Sequence, residues 1–228
     1  TRLDLNDREG VLTTLISPHA DLIFMASQGV STIDVFDVYT QKRVSSIEVG
    51  LAPRGMAFDA TNTKLAVLNT LSRTVSYYDV GGLLGGTSNA APVIATVSAV
   101  SREVLDPMVL AGKKIFHNAG DLRMSRDKYI ACSSCHLDGD SDGRVWDFTQ
   151  AGEGLRNTIP LAGRGGLAHG RVHWTANFDE IQDFENDIRN AFGGTGLLSN
   201  EDFALTADPL GVTKAGRSAD LDALAAYV

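Results

Sequence analysis

Residues 17–38 read SPHADLIFMASQGVSTIDVFDV, and residues 59–80 read DATNTKLAVLNTLSRTVSYYDV. The second stretch repeats the first at an offset of 42 residues, without a gap. Ile23 falls on Leu65, Met25 on Val67, Thr32 on Thr74, Ile33 on Val75, Asp37 on Asp79 and Val38 on Val80. Each copy carries a short apolar strand, a polar turn and a second strand. VSSIEVG at 44–50 adds a further strand, and its counterpart VIATVSAV at 93–100 is set back by a glycine-rich insertion, GGLLGGTSNAA.

A period of this length with three or four short strands per unit is the pattern of a β-propeller blade. A plain antiparallel sandwich is the alternative. The second copy resembles the surface-layer type of propeller repeat, whose strand pair runs like "YVAN…TVSVID"; the resemblance covers residues 11 to 100. Two blades are fewer than the roughly four to eight that close a ring. The other blades are therefore expected outside this chain, from another subunit, or not at all. His19 is a lone turn residue and reads as surface.

The character changes near Val100, so residues 1–100 are expected to be all-β and 101–228 all-α. Asp106-Pro107 is a helix start, with Asp as N-cap and Pro at the first helical position. Met108, Ala111, Gly112 and Ile115 follow at helical spacing. A second helix is expected from Asn177, with Phe178, Ile181, Phe184, Ile188 and Phe192 on one face and Gly193 at its end. Its other face, Asp179, Glu180, Asp183, Glu185 and Asp187, reads as solvated. A third helix is expected from Ser218, with Leu221, Leu224, Ala225 and Val228 as its stripe.

The chemistry lies in Cys132-Ser133-Ser134-Cys135-His136, which uses both cysteines of the chain. Two thiols three positions apart lie on about one helical turn and can add to the two vinyl groups of a haem. The adjoining His136 then offers its imidazole to the iron as proximal ligand. A thioredoxin-like pair needs a βαβ context that is absent here. A structural zinc site needs four ligands, and there is no second cysteine pair. Haem c, one and covalent, is the expected cofactor. All four methionines, Met25, Met56, Met108 and Met124, precede the motif. The sixth position is left to His173, His169, His117, Met108, Met124, water or nothing, with His173 preferred because Trp174 follows it. Asp138, Asp140, Asp142 and Gly143 form a D-x-D-x-D-G, the opening of a calcium loop, but its twelfth position is Thr149 rather than Glu. Calcium is the second candidate cofactor. Arg144, Arg156, Arg164 and Arg171 are candidates for haem propionates.

LAGKKIFHNAGDLRMSRDKYIACSSCH resembles the "LGKxLFxDxRLSxxxxISCAxCH" segment of bacterial di-haem cytochrome c peroxidases and the related methylamine dehydrogenase maturases. GLRNTIPLAG resembles "RNxPxLxN", and HWTANFDEIQDFE resembles "FHWDGRAxxLEEQ". The resemblance covers residues 106 to about 192, the first haem domain of that family. It implies thioether anchors at Cys132 and Cys135, His136 as proximal ligand, Trp174 as electron conduit and Asn157 near an inter-domain calcium. The family's second histidine between the haem motif and "RNxP" is missing, and only one haem motif is present.

Net charge is −8 with 43% hydrophobic residues, and the isoelectric point is about 5.0. A nucleic-acid partner is not expected, nor is a membrane span, since no stretch approaches roughly 18 unbroken apolar residues. The chain starts at Thr1 without a leader, which reads as a removed signal peptide or a fragment. Periplasmic or cell-surface location follows from that reading and from the chemistry of haem attachment. The function expected is electron transfer by an exported haem c protein, in a di-haem peroxidase-like oxidoreductase. The alternatives are a mono-haem carrier and a surface protein with the propeller as docking module. The partner would be a redox protein or a small oxidant such as peroxide, and an oligomer or missing domains would complete the propeller.

Overall fold

The computed structural model describes residues 10–161 and 170–228. They divide into two compact units, residues 1–104 and 105–228.

The first unit is two four-stranded antiparallel sheets, each in simple meander order. The first holds β1 (Val11–Ile16), β2 (Leu22–Ser27), β3 (Thr32–Asp37) and β4 (Arg43–Glu48). The second holds β5 (Pro53–Phe58), β6 (Lys64–Asn69), β7 (Thr74–Asp79) and β8 (Val93–Ser98). A short helix, α1 (Gly81–Leu84), takes up the glycine-rich insertion before β8. The repeat is visible in the turns. Asp37 and Asp79, equivalent under the 42-residue offset, each end a strand with a carboxylate that accepts a main-chain N–H two residues on, from Tyr39 at 3.0 Å and from Gly81 at 3.0 Å. Such Asx turns give the chain a local partner in place of the ladder.

Side chains alternate across each sheet. Phe24, Ala26, Ile33 and Val35 share one face of the first sheet and are fully buried. They form a single core with Leu65, Val67, Tyr78 and Val80 of the second sheet. Phe24 and Phe58 close it edge to face, with centroids 5.3 Å apart. The two sheets thus stack face to face, as successive blades do.

The second unit corrects the expected all-α domain. Its helices are short: α2 (Pro107–Phe116), α3 (Cys132–Cys135), α4 (Glu185–Asn190), α5 (Asn200–Leu205) and α6 (Ala219–Tyr227). Between them lies a two-stranded antiparallel sheet of β9 (Val145–Phe148) and β10 (Gly154–Asn157). The reason is local. Asp138, Gly139, Gly143, Gly152 and Gly154 all take positive φ, which breaks helix and supplies tight turns.

The helix expected from Asn177 is instead a 3₁₀ turn over Ile181–Phe184 followed by the short α4. The Asp183 carboxylate accepts the main-chain N–H groups of Asp179 and Glu180, both at 3.1 Å. It therefore caps the helix three residues later than the apolar pattern suggests. Its acidic face is not simply solvated, because Asp183 and Glu185 are buried.

The helix at Pro107 starts as expected, with Asp106 accepting from the Met108 N–H at 2.8 Å. Asp106→Ala is expected to cost about 1 kcal/mol, read as a lowered urea midpoint. Ser218 caps α6 through the Leu221 N–H. α2 and α6 cross at Gly112, where an added Cβ would overlap the Ala223 carbonyl oxygen. Ile115, Phe116, Met124, Ile188, Leu197, Leu198, Leu221 and Leu224 form the core of this unit. Among the described residues no helix is long and apolar enough to cross a membrane.

Candidate functional site

Cys132 and Cys135 bracket the single turn of α3, and neither is in a disulfide. Ser134 fastens the start of this turn, its hydroxyl accepting the Ala131 N–H at 2.8 Å. The His136 N–H donates to the Cys132 carbonyl at 3.0 Å. At His136 the backbone leaves helical geometry, φ −98° and ψ 67°, so the imidazole departs from the turn that carries the thiols.

Burial lowers the basicity of the His136 ring; a hydrogen bond to the Ile159 main chain and the nearby Asp142 carboxylate oppose it. Nδ1 of this ring is buried and meets no hydrogen-bond partner among the described residues. Burial also pushes the Cys132 thiol up to about 12, against a main-chain hydrogen bond that lowers it, with Cys135 adding to the rise. A redox-active pair or a thiolate metal site requires the opposite shift. Two cysteines on one turn, the Cys132 thiol held protonated by burial, beside an under-satisfied imidazole fit covalent attachment of haem.

The surrounding loop is held without metal. Asp142 accepts from Trp146 Nε1 and from the Thr158 hydroxyl, both at 2.8 Å. Asp140 accepts from the Ser141 N–H at 2.8 Å, and Asp138 sits at φ 51°. Asn157 lies on β10 and its carbonyl accepts from Trp174 Nε1 at 2.8 Å. Among the described residues no three His, Cys, Asp or Glu side chains are arranged to hold a metal ion.

His173 is enclosed rather than free. Its ring stacks on Phe178 at 4.7 Å and 5°, lies 4.5 Å from Trp174 and meets Phe184 edge on at 5.6 Å. Nδ1 is 2.8 Å from Asn177 Oδ1. An amide oxygen only accepts, so Nδ1 carries a proton. Nε2 faces Asp187 Oδ2 at 3.6 Å, and Glu153 Oε1 is 3.8 Å from Nδ1. Burial pushes the Asp187 carboxyl up, opposed by His173 and reinforced by Glu153. Both nitrogens of His173 thus face protein partners. The sequence reading missed Glu153, Asn177 and Asp187, and no local pattern could have found a contact made across three separate segments.

The remaining candidates are dispersed. His117 is buried at the end of α2, its ring edge on to Phe116. Met124 is in the core and Met108 is exposed. Arg156 reaches Glu153 Oε2 at 3.4 Å. Arg144 and Arg171 are exposed. His169 and Arg164 lie outside the described residues.

No family model matches the chain, and no curated protein matches it. Solved structures with detectable similarity include a periplasmic gluconolactonase from Pseudomonas aeruginosa, 13% identical over 46% of this chain and 32% of that one, TM-score 0.36. The β-propeller domain of Myceliophteria thermophila Swd1 is 11% identical over 40% and 28%, TM-score 0.36. A 6-phosphogluconolactonase, so described provisionally, from Bacteroides uniformis is 16% identical over 40% and 27%, TM-score 0.34. The chain spans about a third or less of the length of these structures.

These findings correct the family reading and the function drawn from it. The three motifs of residues 106–192 resemble the first haem domain of di-haem peroxidases, but the chain matches no family model. The unit that carries those motifs is not an all-α domain. Electron transfer, the peroxidase-like oxidoreductase and the mono-haem carrier are therefore withdrawn as descriptions of this protein.

Proposed function

We propose that the second unit is a site for covalent attachment of haem. Cys132 and Cys135 would hold it by thioether bonds, and His136 would stand beside its iron. The observation that carries this reading is the buried Nδ1 of His136, which meets no hydrogen-bond partner among the described residues, beside two cysteines outside any disulfide on one helical turn. Each thioether forms by adding S–H across a vinyl C=C, so no group leaves, and the proton held by the Cys132 thiol is the one the addition uses. When bound, the group would supply an iron centre, and His136 is the residue that would hold it. The Ile159 main chain orients that imidazole, and Phe116 packs beside it with centroids 6.4 Å apart.

The chain is to be produced in a host that attaches haem to exported proteins. A denaturing gel stained for haem, with an alkaline pyridine spectrum, is expected to show one haem per chain. Cys132→Ser and Cys135→Ser should each lose one thioether and shift the pyridine spectrum, and the double variant should lose the stain altogether. His136→Ala should keep the stain while changing the spectrum of the folded protein. Haem that extracts into acidified acetone, or no haem at all, overturns the reading.

A further inference from the structure

The turn over residues 172–178 closes around one buried imidazole. Val172 and Phe178 form an isolated antiparallel bridge, the Val172 N–H donating to the Phe178 carbonyl at 2.9 Å. Inside that bridge His173 and Ala176 take φ 71° and 53°, the left-handed region that side chains disfavour. The turn is therefore strained, and tertiary contacts hold it closed. Two of them run to the β9–β10 hairpin. Trp174 Nε1 donates to the Asn157 carbonyl at 2.8 Å, and the Thr175 hydroxyl donates to Glu153 Oε1 at 2.9 Å. A third is His173 itself, whose side chain is 8% exposed and faces Asp187 on α4.

His173 meets charge at both nitrogens. Among the described residues, the ionisable groups at the ring are Glu153 of the hairpin, 3.8 Å from Nδ1, and Asp187 of α4, 3.6 Å from Nε2. Arg156 stands behind Glu153, 3.4 Å from its other oxygen. Phe178 and Phe184, packed on the ring, bring no charge. Because Nδ1 donates to Asn177, a neutral ring turns the lone pair of Nε2 toward Asp187. An ionised carboxylate opposite a lone pair in a largely buried site is repulsive. One added proton removes the conflict, as an imidazolium facing a carboxylate or as an imidazole facing a carboxylic acid. Burial raises the Asp187 carboxyl above its ordinary range, opposed by His173 and reinforced by Glu153.

We infer that His173 and Asp187 hold one proton between them, and that this proton latches the 172–178 turn to α4. As pH rises the proton leaves to solvent, Nε2 and the carboxylate repel, and the strained turn is released. The closed turn keeps a proton that the open turn gives up. Closure is therefore fullest at low pH and is lost as pH rises from the ordinary carboxylate range upward. The hairpin held by this turn continues into Thr158 and Ile159, and the Ile159 main chain bonds to the His136 ring. Opening the latch loosens that support. Only this last link bears on the proposed haem site; the latch rests on its own contacts, and its test reads no haem.

Hydrogen exchange of the full chain, corrected for intrinsic rates, reads the Val172 N–H between about pH 5 and about pH 9. Its protection is expected to fall with rising pH by up to about tenfold per unit, the slope of one linked proton. The N–H groups of α2 and α6 should keep theirs. Asp187→Asn puts an amide donor opposite Nε2 at every pH, so it should keep the turn closed and abolish the slope. His173→Gln should abolish the slope with the turn open throughout. Protection independent of pH in the natural chain, or a parallel loss in α2 and α6, overturns the inference. So does an Asp187→Asn chain whose turn is open at every pH, the result a purely packing role for the carboxylate gives.

Discussion

Gly112→Val is expected to destabilise the second unit by about 3 kcal/mol or more. The position lies inside α2, where α6 crosses so closely that a Cβ would overlap the Ala223 carbonyl oxygen and crowd Tyr227 Cβ. The obstacle is backbone, so no rotamer change relieves it, and the two helices must separate. Separation uncovers Ile115, Phe116, Leu221 and Leu224, which share one core. Replacing glycine inside a helix normally gains up to about 1 kcal/mol of propensity, too little to offset an opened interface. In thermal unfolding followed by circular dichroism, the loss should appear as a fall of roughly 10 to 20 °C for this unit. Gly112→Ala should fall in the same direction. A melting temperature unchanged in both variants would mean that the helices do not cross at this residue.

The second large effect is expected for Asp183→Ala. Lys214 is fully buried, and its Nζ lies 2.7 Å from Asp183 Oδ1, itself 1% exposed. Removing the carboxylate leaves an ammonium enclosed without its counter-charge, at a cost of about 3 to 5 kcal/mol. It also strips the main-chain N–H groups of Asp179 and Glu180 of their acceptor. Lys214→Met should cost less, because the carboxylate keeps those two donors. The pair Asp183→Leu with Lys214→Met should recover part of the loss, since no buried charge then remains. Urea unfolding of the four proteins gives the order natural, Lys214→Met, double variant or close to it, then Asp183→Ala. Equal losses in the two single variants would show that the ion pair, and not the main-chain donors, dominates.

Much of the first unit is legible in the sequence because its information is local and repeated. A strand's alternation, an Asp that ends it and a fixed offset are properties of neighbouring residues, and two copies reinforce each other. The start of α2 is legible for the same reason, since Asp106 and Pro107 act on the turn that follows them. The second unit was misread where side chains act at a distance. An acidic row on a would-be helix looks solvated until Lys214 meets Asp183 and the Leu197 and Leu198 N–H groups meet Glu185 from farther along the chain. The local pattern around His173 does not show that Phe178, Asn177 and Asp187 close around it. The D-x-D-x-D-G likewise gives no sign that Trp146 and Thr158 donate to Asp142.

By itself the sequence determined the 42-residue repeat, the strands it produces and the one-turn placement of Cys132, Cys135 and His136, all of which depend on spacing along the backbone. Tertiary structure alone decided which face of each sheet is covered, which carboxylates are buried, and that His136 Nδ1 meets no partner among the described residues while both nitrogens of His173 face one. Burial and pairing depend on residues far apart in the chain meeting in a low-dielectric interior. There an unpaired charge costs far more than in water, so the partner that arrives, not the local pattern, sets what each side chain does.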